Sequence, residues 1–194
     1  MRILIVTFVS FAFAVMPAAA QGIVPASAKD EMPQTAKPLD SLFEALANAD
    51  SEETAKPIEE RILAMFNQSG SPSIDLLMTR ATTAVQTGDI KTGIKLLSSI
   101  TDLEPKFADG WFQRAQLQAI SGDDEGAMIS LQKAVTLNPR HFAALAQLAG
   151  LLEEYGNKAG ALKFYREAQK LDPHYDGVAR NVRKLSREVE GDRI

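Results

Sequence analysis

Two histidines, His141 and His174, are the only imidazoles in this 194-residue chain, and it has no cysteine. An imidazole can serve as a general base or a metal ligand, but only beside a group that orients it or shares its ligand. No acid stands at a spacing from either histidine that suggests a triad or a metal site, so His141 reads as a residue packed in a junction. The paired acids Asp123-Asp124 and Glu153-Glu154 could do acid–base work only across a shared cleft. They fall at a helix start and a helix end, which does not argue for one. The zinc-protease pattern HExxH, the nucleophile elbow GxSxG, the phosphate cradle GxxxxGK[ST] and the dinucleotide pattern GxGxxG are all absent. Without cysteine there is no disulfide, thiol nucleophile or thiolate zinc site. The reading is therefore no enzyme: no catalytic residue, no metal and no cofactor. Binding is the surviving class.

Composition narrows the partner. Lys+Arg is 21 against Asp+Glu 25, a net charge of −4. A chain gripping a phosphate backbone needs a basic face, so nucleic acid is not expected. Hydrophobic residues make up 45% and charged residues 24%, as in soluble globular domains.

The first residues predict export. Arg2 precedes an apolar stretch from Ile3 to Met16, Pro17 interrupts it, and Ala18-Ala19-Ala20 offers a small-x-small cleavage site. The expectation is a signal peptide over 1–20, cut after Ala20, and a periplasmic protein, or a secreted one if the source is not Gram-negative. The stretch is too short and too interrupted to read as a membrane span. Residues 21–38, with Pro25, Pro33 and Pro38 and no apolar period, read as a flexible linker.

The elements that present any binding surface follow from a period of 34. Pro105, Pro139 and Pro173 are each 34 residues apart. Aligned on them, residues 74–107 carry Leu77, Ala81, Gly88, Gly93, Leu97, Ile100 and Pro105 at places 4, 8, 15, 20, 24, 27 and 32. The same places hold Trp111, Ala115, Gly122, Ala127, Leu131, Ala134 and Pro139 in residues 108–141. In residues 142–175 they hold Leu145, Ala149, Gly156, Ala161, Tyr165, Ala168 and Pro173. Small side chains at places 8 and 20 let two antiparallel helices approach. The glycine at place 15 makes the turn, and the Asp89, Asp123 or Asn157 that follows caps the next helix. Proline at place 32 ends the unit. Each unit is thus helix, turn, helix.

This pattern resembles the tetratricopeptide repeat, most closely in residues 108–175. The implied fold is all-α: an α-solenoid of antiparallel helix pairs. Place 7 departs from the pattern, holding Arg80 and Arg114 before Leu148. An arginine there can lay its stem on apolar surface and keep its head wet. Residues 39–73 look like a degenerate N-terminal helical pair carrying seven acids and two bases. Phe43, Leu46 and Ala47 fall at places 4, 7 and 8 of a unit starting at Asp40. Residues 176–194 read as a C-terminal capping helix with a stripe of Val178, Val182, Leu185 and Val189; its Asp176, Glu188 and Glu190 dilute the basic charge that a membrane-surface helix needs, so a membrane partner is not expected. LFEAL (42–46), SGSPSIDLLMTRA (69–81), EPKFADGWFQRA (104–115), LNPRHFAALAQL (137–148) and the closing EVEGDRI resemble small exported proteins of this family in alphaproteobacteria. Some relatives are associated with cell-envelope integrity.

The resemblance also implies where a ligand sits. In this family, places 2, 5, 6, 9, 12 and 13 of the first helix line a concave groove. The candidate peptide-binding residues are therefore Met78, Thr82, Asp109, Phe112, Gln113, Gln116, Ala146 and Gln147, an amide-rich and partly apolar set expected to hold a peptide by amide hydrogen bonds and a Phe112/Met78 contact. Members that grip a C-terminal carboxylate use Lys or Arg at places 2, 5 and 6 and Asn at place 9. None occurs at those places here. The expectation is a scaffold or adaptor binding a protein or peptide of the envelope. The alternative is a self-associating structural protein whose ends of opposite charge stack.

Overall fold

The computed structural model describes residues 36–191. The leader and most of the linker expected from the sequence lie outside that range. Nine helices make up the described chain: α1 (Ala36–Ala47), α2 (Glu52–Phe66), α3 (Pro72–Gln86), α4 (Ile90–Leu103), α5 (Ala108–Ile120), α6 (Asp124–Leu137), α7 (Phe142–Glu154), α8 (Lys158–Leu171) and α9 (Val178–Glu190). No strand occurs among the described residues. Helix α1 begins inside the stretch read as linker.

The turns work as their residue types demand. Gly88, Gly122 and Gly156 sit at φ +80°, +83° and +79°, a conformation costly for any residue with a Cβ. The next side chain then caps the following helix: Asp89, Asp123 and Asn157 accept from the backbone N–H of Thr92, Gly126 and Gly160, each at 3.0 Å. The small residues at places 8 and 20 (Ala81 with Gly93, Ala115 with Ala127, Ala149 with Ala161) are all buried. They let α3 close on α4, α5 on α6 and α7 on α8. A Cβ on Gly93 would lie 2.7 Å from Leu117 Cδ1 and 3.2 Å from Val85 Cγ2, so a methyl there requires those side-chain ends to shift.

The three pairs stack in chain order, α4 on α5 and α6 on α7. Helix α9 closes the far end by burying Val178 and Leu185 against a cluster with Leu145, Leu162, Tyr165 and Ala168. Lys158–Glu188, Arg166–Glu190 and Lys184–Glu153 ion pairs border that contact.

The N-terminal pair departs from the expected order. Ser51 caps α2 in a reciprocal box with Thr54, and Pro57 sits inside that helix. But α1–α2 does not stack on α3 as a preceding repeat would. Helix α1 lies against α8, the last helix of the repeats. The turn at 67–71 redirects the chain: Gly70 takes φ +76°, and Ser69 N–H and Oγ–H both donate to Asp75 Oδ1, at 3.1 and 2.6 Å. The apolar stripe of the hairpin then meets aromatic residues of α5 and α7. Phe43, Leu46, Ala55 and Ile62 join Phe112, Ala115, Phe142, Ala143 and Leu148 in one buried cluster.

Candidate functional site

The hairpin covers part of the surface the sequence assigns to a ligand. Phe66 of α2 packs on the His141 ring at a centroid distance of 5.0 Å, and Phe112 packs on the same ring from α5 at 4.3 Å. Phe43 of α1 meets the edge of Phe142 at 6.4 Å, and Phe142 in turn meets Tyr175 at 5.0 Å. Gln113 donates to Asn67 Oδ1 at 3.0 Å and to Asp109 Oδ2 at 2.8 Å. Arg140 forms an ion pair with Asp40 and lies 4.0 Å over the Phe43 ring. Asp109, Phe112 and Ala143 are consequently buried. Phe112 is not the solvent-facing anchor expected for a peptide, because its ring is buried against His141, which Phe66 also packs on.

Phe112 and Met78 do not offer a peptide one shared contact, since they are buried in separate clusters. Met78 is buried in a different cluster, with Ile74, Ala81, Leu97 and Ile100. Its edge reaches a shallow depression lined also by Asn67, Gln68, Thr79 and Thr82. Thr82 itself is exposed and donates to the Met78 carbonyl at 3.1 Å. Ala146 is half-buried.

The C-terminal halves of the first helices remain open. Val85 of α3, Gln116 and Ile120 of α5, and Gln147, Leu151 and Glu154 of α7 line a cavity of about 510 Å³. Its floor is largely apolar, from Ala115, Leu117 and Leu131. Ile120 is 68% exposed beside this apolar floor. Of the candidate residues, Gln116 and Gln147 stand here, while Asp109, Phe112 and Gln113 stand under the hairpin. Ile120, Leu151 and Val85 complete the open surface. Ile120 and Val85 were visible as places 13 and 12, but Leu151 follows only from helix packing.

His141 has an acid partner after all. Its Nδ1 accepts from Ala144 N–H at 3.3 Å, which assigns the ring proton to Nε2, facing Asp109 Oδ1 at 3.4 Å. Asp109 and His141 sit at place 2 of one unit and place 34 of the same unit, a pairing that spacing along one helix cannot reveal. The ring is fully buried between two phenylalanines, so it caps α7 and packs; it meets no substrate. His174 Nε2 lies 2.8 Å from the Ala49 carbonyl, tying the α1–α2 turn to the end of α8. The arginines at place 7 differ. Arg80 is exposed, whereas Arg114 donates to Thr101 Oγ1 at 3.2 Å and lies 5.3 Å from the centre of the Trp111 ring.

A second polar feature lies where the hairpin meets α8. Asp172 is fully buried, and its Oδ1 accepts from His174 N–H at 3.0 Å. Its Oδ2 has no hydrogen-bond partner at normal length. Glu59 of α2 faces it. Burial, then the charge and contact of Asp172, push the Glu59 carboxyl up to about 7. Burial also raises Asp172. Two carboxylates cannot both ionise cheaply in such a place, so a proton kept on Glu59 is the donor that the orphan oxygen lacks.

Stacked helix pairs with small residues at fixed places define the α-solenoid class. Residues 108–141 match the family model described as tetratricopeptide repeat, and the described residues form an all-helical solenoid like that of solved tetratricopeptide-repeat domains. A TPR repeat-containing protein of the alphaproteobacterium Rhizobium etli is 28% identical over 155 residues, 80% of this chain and 76% of that protein. Among solved structures, the Sgt2 TPR domain of Aspergillus fumigatus superposes with a TM-score of 0.55 at 20% identity, covering 62% of this chain and 81% of that one. The Yersinia enterocolitica type III secretion chaperone SycD, in complex with a peptide of the translocator YopD, superposes with a TM-score of 0.55 at 15% identity, covering 61% and 95%. Proteins of this repeat class generally mediate protein–protein interactions, and their fold is typically non-enzymatic.

Proposed function

We propose that the protein is a non-enzymatic periplasmic adaptor that binds a protein or peptide of the cell envelope along the open half of its groove. The observation that carries this reading is the cavity between α3, α5 and α7, with exposed Ile120 over an apolar floor and Gln116 and Gln147 at its sides. Apolar contact supplies the favourable area, and side-chain amides fix a peptide's orientation by hydrogen bonds. Glu154 at the rim favours a segment carrying a basic residue beside its apolar ones. Solved relatives of the same fold hold peptides, as the SycD complex does. The periplasmic address is supported by the apolar leader and the Ala18-Ala19-Ala20 site. The envelope role is supported by the resemblance to exported alphaproteobacterial members.

The test is affinity capture from an envelope fraction with the chain from Gln21 onward, beside Ile120→Glu and Gln116→Arg variants. Both changes sit at exposed or half-exposed positions, so helical content by circular dichroism should hold. The expected result is a partner retained by the parent protein and lost from both variants. Capture that survives both changes removes the open groove from consideration. Mass spectrometry of protein recovered from the periplasm should show Gln21 at the N-terminus.

A further inference from the structure

The aromatic surface under α1–α2 has the composition of a ligand site, and the chain's own N-terminal hairpin fills it. We infer that this surface accepts an amphipathic helix bearing an acid and, three residues later, an aromatic, and that α1 is its resident, exchangeable occupant. This stands apart from the reading of the open half, which it neither needs nor uses.

Three observations carry it. First, the contact is made by ligand-type recognition. Arg140 reads two side chains of one α1 face at once: its guanidinium pairs with the Asp40 carboxylate and stacks over the Phe43 ring. Residues three apart lie on the same face of a helix, so the pattern Asp-x-x-Phe is what this arginine selects. Second, the hairpin is joined to the repeats through residues 67–71 and does not stack on α3, so it can leave without dismantling the α3–α9 stack. Third, part of its seat is held by groups with a stake in solvent. The Asp40–Arg140 pair is 47% and 39% exposed, and half-buried Glu59 faces the buried Asp172 carboxylate. These groups form a half-open polar rim around the apolar centre that Phe43, Leu46, Ala55 and Ile62 bury. A partner helix with the same Asp-x-x-Phe face would compete for Arg140, Phe142 and the His141 neighbourhood.

The tethered hairpin competes at an effective concentration set by its short connection, of order millimolar. Wild-type chain should therefore bind such a helix weakly, and weakening the resident should unmask the site. The probe is a fluorescein-labelled synthetic peptide of residues 36–68 in native sequence, titrated against full-length chain by fluorescence anisotropy. Full-length Phe43→Ala should bind it at least about ten-fold more tightly than wild type. Asp40→Lys, an exposed change that leaves the core intact, should show a gain in the same direction. Adding Arg140→Glu to Phe43→Ala should abolish the gain. Equal binding by wild type and both single variants, including no binding by any of them, overturns the inference. So does a gain that survives Arg140→Glu. Ile120→Glu, on the open half, should leave this titration unchanged while abolishing envelope capture, so failure of one reading is separable from failure of the other.

Discussion

Glu59→Gln should change how the hairpin responds to pH while leaving its shape alone. In the docked state the Glu59 carboxyl is raised from 4.5 to about 7, first by burial and then by Asp172. An undocked hairpin would return it to its ordinary value. A group whose pKa is higher in the folded state favours folding fully below the unfolded pKa, and that contribution is lost as pH rises through the folded one. For Glu59 the window runs from roughly pH 4.5 to 7. The full gap corresponds to at most about 3 kcal/mol. Because Glu59 is only partly buried, solvent screening reduces this, and about 1–2 kcal/mol is a fair expectation. The groups facing the pair are Glu52 and Lys56 from α2, and His174, Tyr175 and Asp176 from the segment after α8. Glutamine keeps a donor toward Asp172 Oδ2 and cannot ionise. Native-state amide exchange at Leu46 and Ile62, corrected for the intrinsic pH dependence of exchange, reads hairpin opening directly. Between pH 5 and 8, wild-type protection should fall about 5- to 30-fold, and the variant's should stay nearly level. Parallel profiles, or a variant less protected than wild type at pH 8, would refute the shared-proton account. Glu60→Gln, at an exposed neighbour, should track wild type.

Three further outcomes follow from packing and capping. Gly93→Ala should cost about 1–3 kcal/mol, because its methyl meets the buried Leu117 side chain at 2.7 Å; an unchanged denaturation midpoint would show that Leu117 shifts freely. Asp89→Ala and Asp123→Ala each remove an N-cap, worth about 1 kcal/mol. Asp123 also accepts from Gln118 Nε2 at 2.9 Å, and Gln118 Oε1 accepts from buried Ser130 at 2.6 Å. Asp123→Ala should therefore be the more damaging by about 1–2 kcal/mol, and equal losses in urea melts would exclude that network as a stabiliser. Phe142→Ala, at a fully buried ring touching Phe43 and Tyr175, should cost about 3–5 kcal/mol and lower exchange protection in α1 more than in α4; uniform loss across both helices would show that the hairpin and repeats open together.

The repeats were legible because each of their signals is local. Glycine then aspartate or asparagine, every 34 residues, states both the turn and the next cap. Alanine or glycine at places 8 and 20 states the helix approach. The amphipathic faces of α1 and α2 were legible too, through Phe43, Leu46, Ile58 and Ile62. What those faces pack against was not. A periodic stripe tells which side is apolar and says nothing about its partner, and here the partner lies far along the chain: Asp40 meets Arg140, and Ala49 meets His174. The same gap explains the candidate site. Family places put Asp109, Phe112 and Gln116 on one surface, and only the hairpin divides that surface into a covered part and an open one. The Asp109–His141 contact escaped for a related reason, since its two members belong to different helices of the stack.

The hairpin's seat also sets an order of events when the chain is made. Residues 36–66 leave the ribosome ahead of the repeats, yet His141 and Phe142, on which their aromatic rings come to rest, and Tyr175 behind Phe142, follow by tens to more than a hundred residues. At roughly 5–20 residues per second, Tyr175 trails Phe66 by about 5–20 s. During that interval Phe43 and Phe66 have only each other as native ring neighbours, whereas each helix pair behind them can close as soon as its own residues have emerged. Completion of the molecule thus waits on its last repeat, and a nascent chain stopped before residue 142 presents an acidic, aromatic hairpin to whatever lies nearby.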